Sequence, residues 1–424
     1  MSGWTCIITI QRINVTKFRS DLLIIGTGFA AFSLIKEIDV TRYNVIIVSP
    51  RNHFLFTPLL PSTTVGTVEF RSIIEPIRTA RQGITFHQGY CVRIDSENSV
   101  AYCEGKFKRT PFEVPYDKLV IAVGAKCNTF GIPGVEEHAK FLKEITDAHS
   151  IRHQIIQCFE RASKPNRPVQ DFDWLLHFVV VGGGPTGVEF AAEVDDFLRQ
   201  DLSKWFPELM PYVKITLLEA QEDILSAFDA SLSAYTTRHF ARQHIRVRTN
   251  AAVKEVQPDA VVLENDEVIP FGLLVWSTGN GPTTVVANSG LSLDHGRLQV
   301  DDNFLVAQTE NIYAAGDCAV ITDNPLPPTA QVAQQQGTHL AKILNKALDD
   351  TTAGPFKYKH RGMMAYIGHR KALVDTKNVQ GKGFGTWLFW RSAYLTKLMS
   401  WKNKTLVLSD WIRTFFFGRD ISQF

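Results

Sequence analysis

Cysteine is scarce in this sequence of 424 residues, and the few cysteines that it has are scattered. They are Cys6, Cys91, Cys103, Cys127, Cys158 and Cys318. No two of them form a CxxC or CxxxxC motif, so their spacing predicts neither a zinc site nor a framework of disulfides. We therefore expect reduced, mostly buried cysteines that act as small core residues.

Long apolar runs and an excess of charge are also lacking. No run reaches the ~18–20 apolar residues that a membrane-spanning helix requires. The formal net charge is only +2, and no basic stripe interleaved with aromatic residues stands out, so we expect no nucleic-acid partner. The composition, 45% hydrophobic and 21% charged, is that of a globular protein, and the length is enough for about three domains.

The first 19 residues carry Arg12, Lys17 and Arg19 and no acidic residue. Two interpretations fit this composition equally well. One is a weak organelle-targeting segment, and the other is a short leader strand that covers the edge of a sheet.

The chain contains the succession of strand, glycine-rich turn, helix and strand twice, about 155 residues apart. Short apolar runs alternate with a longer helical pattern in each copy, which indicates parallel βαβ units. The predicted strand, helix and strand cover residues 21–26, 29–38 and 44–48 in the first copy and 177–182, 185–198 and 213–219 in the second. The predicted fold class is α/β, with two Rossmann-like dinucleotide-binding domains.

The first glycine-rich turn has the pattern GxGxxA, formed by Gly26, Gly28 and Ala31. The first glycine permits the tight turn, the second lets a pyrophosphate approach the backbone, and the alanine allows close packing of helix on strand. An incidental turn is the alternative, but the flanking strand and helix favour a dinucleotide site. The second strand of this copy ends without an acidic residue, so Ser49 and Arg51 are the candidates for holding the adenosine end.

The second turn, with Gly182, Gly184 and Gly187, has the pattern GxGxxG, and its second strand ends in Glu219. A carboxylate there accepts hydrogen bonds from the adenosine ribose and repels a 2′-phosphate, which favours NAD(H) over NADP(H). A solvated charge at the strand end is the alternative. The gap before Glu219 exceeds the usual ~20 residues, and we interpret the excess, roughly 195–211, as an inserted helical segment.

Further strand patterns follow each turn at a comparable distance, at residues 116–124 and 273–279. Another, at 311–317, ends in Gly316 and Asp317. The Asp317 carboxylate can accept hydrogen bonds from sugar hydroxyls, or it can be the N-cap of a following helix. Two dinucleotide turns in one chain suggest that one nucleotide stays bound as a prosthetic group while the other exchanges.

With the motifs GxGxxA, GGGPTGVE, WSTGN and IYAAGD in this order, the sequence resembles the two-dinucleotide flavin reductases. Three longer strings narrow the resemblance, namely SPRNHFLFTPLL at 49–60, NTFGIPG at 128–134 and PPTAQVAQQ at 327–335. These are similar to the type II (alternative) NADH:quinone oxidoreductases, especially the fungal mitochondrial internal enzymes. The resemblance runs from about Asp21 to the C-terminus.

This resemblance implies a non-covalently bound FAD, NADH as the electron donor and ubiquinone as the acceptor. It also implies a peripheral protein of the mitochondrial inner membrane that pumps no protons. Carried over by position, the residues that contact FAD are Gly26, Gly28, Ala31, Arg51, Thr57 and Asp317, and those that hold NADH are Gly182, Gly184, Gly187 and Glu219. No calcium-binding loop of EF-hand type interrupts the sequence, and we expect no metal site.

Glu189 follows the second turn, and the resemblance places it near the nicotinamide and the flavin. There it would position NADH or relay a proton. Its place one turn into a helix also suits a simpler role, because a first-turn carboxylate complements the helix dipole. Both interpretations stay open.

Gln331, Gln334 and Gln335 share one face of the helix that follows Thr329. The resemblance places them on the quinone side of the flavin, where an amide can hydrogen-bond a quinone carbonyl, and a solvated polar face is the alternative. The fungal pattern has histidine in place of Gln334. Since glutamine does not donate a proton near neutral pH as imidazolium does, the quinol must receive it from another residue or from water.

From Trp387 onward the sequence becomes aromatic and basic. Two stripes recur at helical spacing: Trp387, Trp390, Tyr394, Leu398 and Trp401, then Leu408, Trp411, Ile412, Phe415 and Phe416. Basic amphipathic helices rich in Trp and Phe lie in the membrane interface, so we predict that this module anchors the protein to a membrane surface. Packing on the protein core, or the seam of a homodimer, is the alternative.

The sequence thus divides into an FAD-binding domain at 20–147 and 295–355, an NADH-binding domain at 148–294, and a C-terminal anchoring and dimerisation module at 356–424. Alternative functions are a flavin NAD(P)H reductase with a ferredoxin-type acceptor and an apoptosis-factor-like redox binding protein. A disulfide reductase of the same fold is excluded, because the sequence has no paired redox cysteines.

Overall fold

The computed structural model describes residues 19–349, 351–377 and 379–423. Apart from Arg19, the segment interpreted as a targeting or leader segment lies outside the described residues. The chain forms two compact units, each assembled from three stretches of sequence. The first unit comprises Met1–Leu55, Glu75–Lys126 and Asn280–His360, and the second comprises Phe56–Ile74, Cys127–Gly279 and Arg361–Phe424.

A sheet of seven strands organises the first unit. Its strands, in spatial order, are Ile312–Ala314, Lys118–Ile121, Ser20–Ile25, Tyr43–Ser49, Ile84–Asp95, Val100–Gly105 and Pro111–Pro115. The first five are parallel and the last two antiparallel. Ser20–Ile25 is the central one of the five parallel strands, and its apolar side chains are buried. The strand order reverses beside it, and such sheets bind ligands at the carboxyl ends of the strands at this point.

Two helices of the first unit pack closely against each other, Phe29–Glu37 after the central strand and Ala330–Ala347 near the end of the unit. A Cβ at Gly337 would lie only 2.1 Å from the carbonyl oxygen of Ala30, so the two backbones meet there without a side chain between them. The glycine therefore sets the distance between the helices that carry the first turn and the glutamine cluster.

The remaining elements of the first unit are short. The strands are His53–Leu55, Asn280–Gly281, Leu293–Asp294, Arg297–Val300 and Ala319–Ile321, and the helices are Ile77–Ala80 and Thr284–Ala287. Two further strands, Ile74–Pro76 and Lys126–Cys127, lie where the chain passes from one unit to the other.

The second unit has a parallel sheet of its own. Its order is Lys140–Phe141, Leu273–Trp276, His177–Val181, Lys214–Leu218 and Ile245–Arg248. The central strand is again the one that precedes a glycine-rich turn. The apolar side chains of this sheet, including the fully buried Trp276, form one core with the three-stranded sheet of residues 253–270.

The other elements of the second unit surround this core. The strands are Val253–Val256, Ala260–Leu263, Val268–Pro270, Met363–Tyr366, Ala372–Asp375 and Gln380–Gly383. The helices are Leu60–Thr63, Val135–His138, Ile145–Ala162, Phe172–Leu175, Pro185–Gln200, Ala230–Arg242, Phe384–Lys397 and Trp401–Phe417, with 3₁₀ turns at Thr57–Leu59, Phe70–Ile73, Val169–Asp171, Leu202–Lys204 and Met210–Tyr212.

The α/β class and both βαβ units predicted from the sequence are confirmed, with element ends within about two residues of the expected positions. The inserted segment after the second turn is not a separate helix. Instead, Pro185–Gln200 is longer than expected, and two short 3₁₀ turns follow it. Of the described chain, no helix is both long and apolar enough to cross a bilayer.

Replacing Gly337 by alanine should destabilise the first unit. The added methyl group meets a backbone carbonyl that cannot rotate away, and overpacking of this kind costs about 1–3 kcal/mol. We expect a lower melting temperature for Gly337→Ala. The matched control is Gly385→Ala, because Gly385 also lies in a helix but no described atom is within 4 Å of its Cβ position. Equal melting temperatures for the two variants would contradict the close approach.

Candidate functional site

The first glycine-rich turn has the backbone that its sequence requires. Gly26 adopts φ +113°, which favours glycine, and a Cβ there would lie 2.2 Å from the carbonyl oxygen of Ala122 on the neighbouring strand. Its amide donates to the carbonyl of Val48 at 2.9 Å. The turn is therefore held on both sides by the strands that flank the central one.

Gly28 is the N-cap of the helix Phe29–Glu37 and carries no capping side chain. A Cβ at Gly28 would meet no described atom within 4 Å. The first turn of the helix contains no acidic residue and has no side-chain cap, so the helix offers no negative charge of its own to the positive end of its dipole. An anionic group of the size of a pyrophosphate fits this arrangement. Ala31 is fully buried behind the turn.

The end of the second strand is tied to the same turn. The hydroxyl groups of Thr27 and Ser49 lie 3.1 Å apart, and Thr27 also donates to the Arg51 carbonyl at 3.2 Å. The Arg51 amide in turn donates to the Ser49 hydroxyl at 3.3 Å. Ser49 is buried, and its hydroxyl group helps to hold the turn in place. Arg51 is half-buried and lies next to the turn.

The turn that presents Asp317 is held by Gln336, a residue that the sequence analysis did not identify. Gly316, at φ +84°, donates its amide to the side-chain oxygen of Gln336 at 2.7 Å, and that glutamine is buried. Gln336 follows directly after the predicted glutamine cluster but points to the opposite side of the helix. It fixes the turn that presents Asp317, whose side chain is half-buried.

The second turn repeats the geometry of the first within the other unit. Gly182 adopts φ +112° and donates to the carbonyl of Leu218 at 2.8 Å, and Gly184 is an N-cap whose Cβ position again has no described atom within 4 Å. A Cβ at Gly187 would lie 2.0 Å from the carbonyl oxygen of Gly182, so the helix Pro185–Gln200 packs directly on the turn. This unit can therefore hold a second pyrophosphate.

Glu219 does more than the sequence predicted. One carboxylate oxygen accepts the amide of Gly183 at 2.6 Å, and the other accepts the amide of Gln221 at 2.8 Å. The half-buried side chain thus braces the turn. A carboxylate has about four acceptor positions, so both oxygens can still accept a hydroxyl group.

Glu189 is buried, with 6% of its surface exposed, and its carboxyl oxygen accepts the amide of Tyr366 at 2.9 Å. Burial raises the pKa of Glu189 to about 8, and the neighbouring Glu193 adds to this effect. The Tyr366 amide and the Trp390 indole act in the opposite direction. A carboxyl group with this pKa is mostly protonated at neutral pH. Glu189 also lies beyond the first turn of Pro185–Gln200, which contains no acidic residue, so the helix-dipole interpretation is wrong.

More carboxyl groups follow Glu189 along the same helix. Glu193 accepts from the hydroxyl groups of Ser62 at 2.7 Å and Thr67 at 2.6 Å. Asp196 accepts the phenol of Tyr366, and burial raises the pKa of Asp196 to about 6. These three side chains, Glu193, Asp196 and Tyr366, line a cavity of about 350 Å³ within the second unit. Their sequence signal was weak, because no motif marks them.

The three predicted glutamines lie on one face of Ala330–Ala347 but differ in their contacts. Gln335 donates to the carbonyl of Lys359 and accepts its amide, both at 3.0 Å, so its side chain fastens the segment that leaves the helix. The side chain of Gln334 is half-buried and makes no hydrogen bond with the described residues. Gln331 is half-buried at the start of the face.

The predicted FAD and NADH contacts divide between the two units. The first unit contains Gly26, Gly28, Ala31, Ser49, Arg51, Asp317 and the glutamine cluster, and the second contains Gly182, Gly184, Gly187, Glu189 and Glu219. Thr57, predicted to contact FAD, belongs to the second unit, at the start of a 3₁₀ turn.

The aromatic stripes of the C-terminus are only partly as predicted. Trp387, Trp390, Tyr394 and Leu398 are buried, so the core interpretation is correct for this first stripe, whereas Trp401 is 81% exposed. In the second stripe Trp411 is buried, because it lies at the margin of the apolar face and packs at 6.3 Å from Trp390. The exposed apolar side chains are Phe384, Leu388, Phe389, Trp401, Leu408, Ile412, Phe415, Phe416 and Phe417.

Two family models match the chain. A model of the pyridine nucleotide-disulphide oxidoreductases matches residues 20–337, and a model of the NDH2 C-terminal domain matches residues 360–420. A solved structure of NDH2 from Plasmodium falciparum in complex with NADH superposes with a TM-score of 0.92 at 27% identity, covering 95% of this chain and 100% of the other.

Known proteins of similar sequence span nearly the whole chain. A probable NADH dehydrogenase of Dictyostelium discoideum is 47% identical, covering 99% of this chain and 94% of the relative. The mitochondrial internal alternative NAD(P)H-ubiquinone oxidoreductase A1 of Solanum tuberosum is 42% identical, covering 95% and 88%. The mitochondrial external NADH-ubiquinone oxidoreductase 2 of Saccharomyces cerevisiae is 41% identical, covering 95% and 82%.

Replacing Glu189 by glutamine should alter how stability depends on pH. The folded-state pKa is raised to about 8, so between the ordinary carboxyl pKa and this value the group is protonated when folded and ionised when unfolded. One such group lowers the free energy of unfolding by about 1.4 kcal/mol per pH unit as the pH rises. We therefore expect the melting temperature of Glu189→Gln to fall less steeply than that of the parent between about pH 6 and pH 8.

The control for this prediction is Glu222→Gln, because Glu222 is exposed. This variant should keep the slope of the parent. Parallel slopes for Glu189→Gln and the parent would show that Glu189 is ionised in the folded protein.

Proposed function

The chain belongs to the pyridine nucleotide-disulphide oxidoreductase family and, within it, to the type II NADH dehydrogenases, and we propose that it oxidises NADH through FAD and reduces ubiquinone without pumping protons. The resemblance inferred from the sequence is thereby confirmed. The observation that carries the proposal is the pair of glycine turns, one in each unit, whose helix N-termini are open to a pyrophosphate.

We propose that FAD binds to the first unit, with its pyrophosphate at Gly28. Arg51, beside the turn, would then meet the adenosine end, and Asp317 would accept hydrogen bonds from sugar hydroxyls. When bound, the flavin supplies the two-electron redox chemistry, which no amino-acid side chain of this site can perform. The chain contributes the position of the cofactor, through the strands that fix Gly26 and through Gln336, which fixes Gly316.

NADH would bind to the second unit, with its pyrophosphate at Gly184 and its adenosine ribose at Glu219. The carboxylate already accepts two backbone amides, which hold it in one orientation. A 2′-phosphate brought next to this fixed negative charge would be repelled. We therefore propose that NADH is preferred over NADPH.

Glu189 would act as a proton carrier. Reduction of a quinone to a quinol takes up two protons, and a carboxyl group whose pKa is about 8 holds one at neutral pH. Its orientation is fixed by the Tyr366 amide.

Gln331 and Gln334 are the glutamines that we propose to hydrogen-bond the quinone carbonyl. The side chain of Gln334 makes no hydrogen bond within the described chain, so its amide group can turn toward a ligand. Gln335 is engaged with both backbone groups of Lys359, and we propose that it shapes the segment after the helix instead.

The exposed apolar face of the last two helices is proposed to rest on a membrane. Leu408, Ile412, Phe415 and Phe416 lie on one side of Trp401–Phe417, and Phe417 is 85% exposed. Lys402 and Lys404 on the same helix can meet anionic headgroups. Since relatives of this chain carry the description mitochondrial, we propose the mitochondrial inner membrane. The alternative is that a second copy of the chain packs on this face to form a homodimer.

A matched pair of variants tests the assignment of the two nucleotides. Gly28 and Gly184 both have φ near −75° and open space at the Cβ position, so valine at either site leaves the fold intact but blocks a pyrophosphate. Gly28→Val should yield a colourless protein. Gly184→Val should stay yellow and release FAD on denaturation, yet NADH should no longer bleach its visible absorption.

Visible spectra and stopped-flow mixing with NADH measure both outcomes. A yellow Gly28→Val protein, or normal bleaching of Gly184→Val by NADH, would contradict the assignment. Loss of flavin from both variants would show that the two turns do not serve different nucleotides.

Replacing Phe415, Phe416 and Phe417 together by serine should weaken membrane binding at least tenfold. Each phenyl ring that enters the acyl region contributes about 1.5–3 kcal/mol, and all three rings are mostly exposed. The measurement is co-sedimentation with phosphatidylcholine vesicles that contain phosphatidylglycerol. Turnover with a water-soluble quinone should be retained.

The control for vesicle binding is Phe107→Ser with Phe130→Ser, which removes two equally exposed rings elsewhere. It should sediment as the parent does. If the triple variant still bound vesicles fully but became monomeric in analytical ultracentrifugation, the apolar face would be a dimer seam.

A further inference from the structure

Two cysteines whose spacing in the sequence matches no motif are neighbours on adjacent strands in the sheet of the first unit. Cys91 is on the strand Ile84–Asp95 and Cys103 on Val100–Gly105, and the antiparallel register pairs them directly. A β-bulge follows Cys91 on its strand, between Cys91 and Arg93. The pair is 12 residues apart in the sequence, a spacing that matches no cysteine motif.

The pairing is of the kind in which the backbones approach most closely. The amide of Lys106 donates to the carbonyl of Gln88 at 3.0 Å, which makes those two residues a hydrogen-bonded pair. Hydrogen-bonded and non-hydrogen-bonded pairs alternate along an antiparallel ladder. Counting three pairs along the register from Gln88 reaches Cys91 and Cys103 as a non-hydrogen-bonded pair.

The hydrogen bonds to the next strand, Pro111–Pro115, independently indicate that Cys91 and Cys103 are a non-hydrogen-bonded pair. Gly105 donates its amide to the carbonyl of Thr110 at 2.9 Å, and by alternation Cys103 is hydrogen-bonded to Phe112 on that side. Its backbone groups therefore point away from Cys91. A non-hydrogen-bonded pair has Cα atoms about 4.5 Å apart, which lies within the range of about 4.4–6.8 Å that a disulfide spans.

Both thiols lie on the same face of the sheet. Along the first strand, His87, Gly89 and Cys91 alternate onto one face, and the ring of Phe112, which pairs with Cys103, lies 3.2 Å from the Cβ position of Gly89 and 5.7 Å from the His87 ring. Contact with the Cys91 thiol, together with burial, raises the pKa of the Cys103 thiol. The two sulfur atoms are thus neighbours.

We propose that Cys91 and Cys103 form a reversible oxidation site, a dithiol that hydrogen peroxide converts into a cross-strand disulfide. Cys91 is half-buried and open to the oxidant, whereas Cys103 is buried. The more accessible thiol of Cys91 reacts first, and the buried thiol of Cys103 then resolves the product. This site is independent of the nucleotide turns and of the proposed reaction.

The reaction balances in two steps. The Cys91 thiolate attacks hydrogen peroxide, the O–O bond breaks, and a sulfenic acid and hydroxide form. The Cys103 thiol then attacks that sulfur, an S–S bond forms, the S–O bond breaks, and water leaves with the thiol proton. Two thiols and one peroxide give one disulfide and two waters.

The disulfide would close a loop through the turn that joins the two strands, and so would keep this hairpin from opening. The first strand of the hairpin also pairs with Tyr43–Ser49, and the Gln88 side chain donates to the Pro50 carbonyl at 3.0 Å. Closure therefore stabilises the sheet beside the proposed adenosine end of the first nucleotide site. Because a disulfide restricts the unfolded chain, the melting temperature should rise on oxidation.

The test uses the full-length, flavin-loaded protein treated with hydrogen peroxide, then denatured, alkylated and digested with trypsin. Cys91 lies in the peptide 82–93 and Cys103 in the peptide 94–106, with one cysteine in each. We expect these two peptides to be joined by a disulfide, the intact chain to lose two hydrogen atoms, and dithiothreitol to restore both alkylated peptides. Two of the six thiols should become inaccessible to alkylation.

The control variants separate this site from the other cysteines. Cys127→Ser should form the cross-link as the parent does, whereas Cys91→Ser should leave Cys103 alkylatable after peroxide. Sulfinic or sulfonic acid on Cys91 with an intact Cys103 thiol would overturn the proposal. A disulfide that joins two chains through Cys91, seen as a dimer on a non-reducing gel, would also overturn it.

Discussion

Burial of carboxyl groups along the helix Pro185–Gln200 is the constraint on which the second unit depends. Four of them are buried, namely Glu189, Glu193, Asp195 and Asp196. Taking such groups out of water costs several kcal/mol unless each one finds hydrogen-bond donors or accepts a proton. The donors come from the segment Phe56–Ile74 and from the C-terminal stretch, including the amide of Tyr366 and the guanidinium of Arg419, 3.7 Å from Glu193. The same helix begins at the second glycine-rich turn, so the proposed NADH site and the docking of the C-terminal module share one element.

The glycine-rich turns of the two units have the same backbone geometry. Gly26 and Gly182 have nearly identical φ values, and each is clamped by the carbonyl at the end of the next strand. The following glycine leaves the helix N-terminus bare. The units differ beyond the turn, because Glu219 braces the second turn with a negative charge, whereas Thr27 and Ser49 brace the first with hydroxyl groups. This difference suits a tightly held cofactor in one unit and a discriminated substrate in the other.

The C-terminal helices show what an amphipathic pattern leaves undecided. Helical periodicity places Trp387, Trp390 and Tyr394 on one face, but it cannot say whether that face meets protein or lipid. The structure buries them, with Trp390 4.7 Å from Tyr394 and 5.6 Å from Tyr366. The apolar surface that stays exposed is the other face, which carries Phe415 and its neighbours.

The sequence by itself determined the α/β class, both glycine turns and the positions of Glu219 and Asp317, because each depends on a pattern within a few turns of chain. The raised pKa of Glu189, the bond from Gln336 to Gly316 and the pairing of Cys91 with Cys103 were decided only by the tertiary structure. Burial and partner choice depend on segments that meet from distant parts of the sequence, and no local spacing encodes which of them will meet.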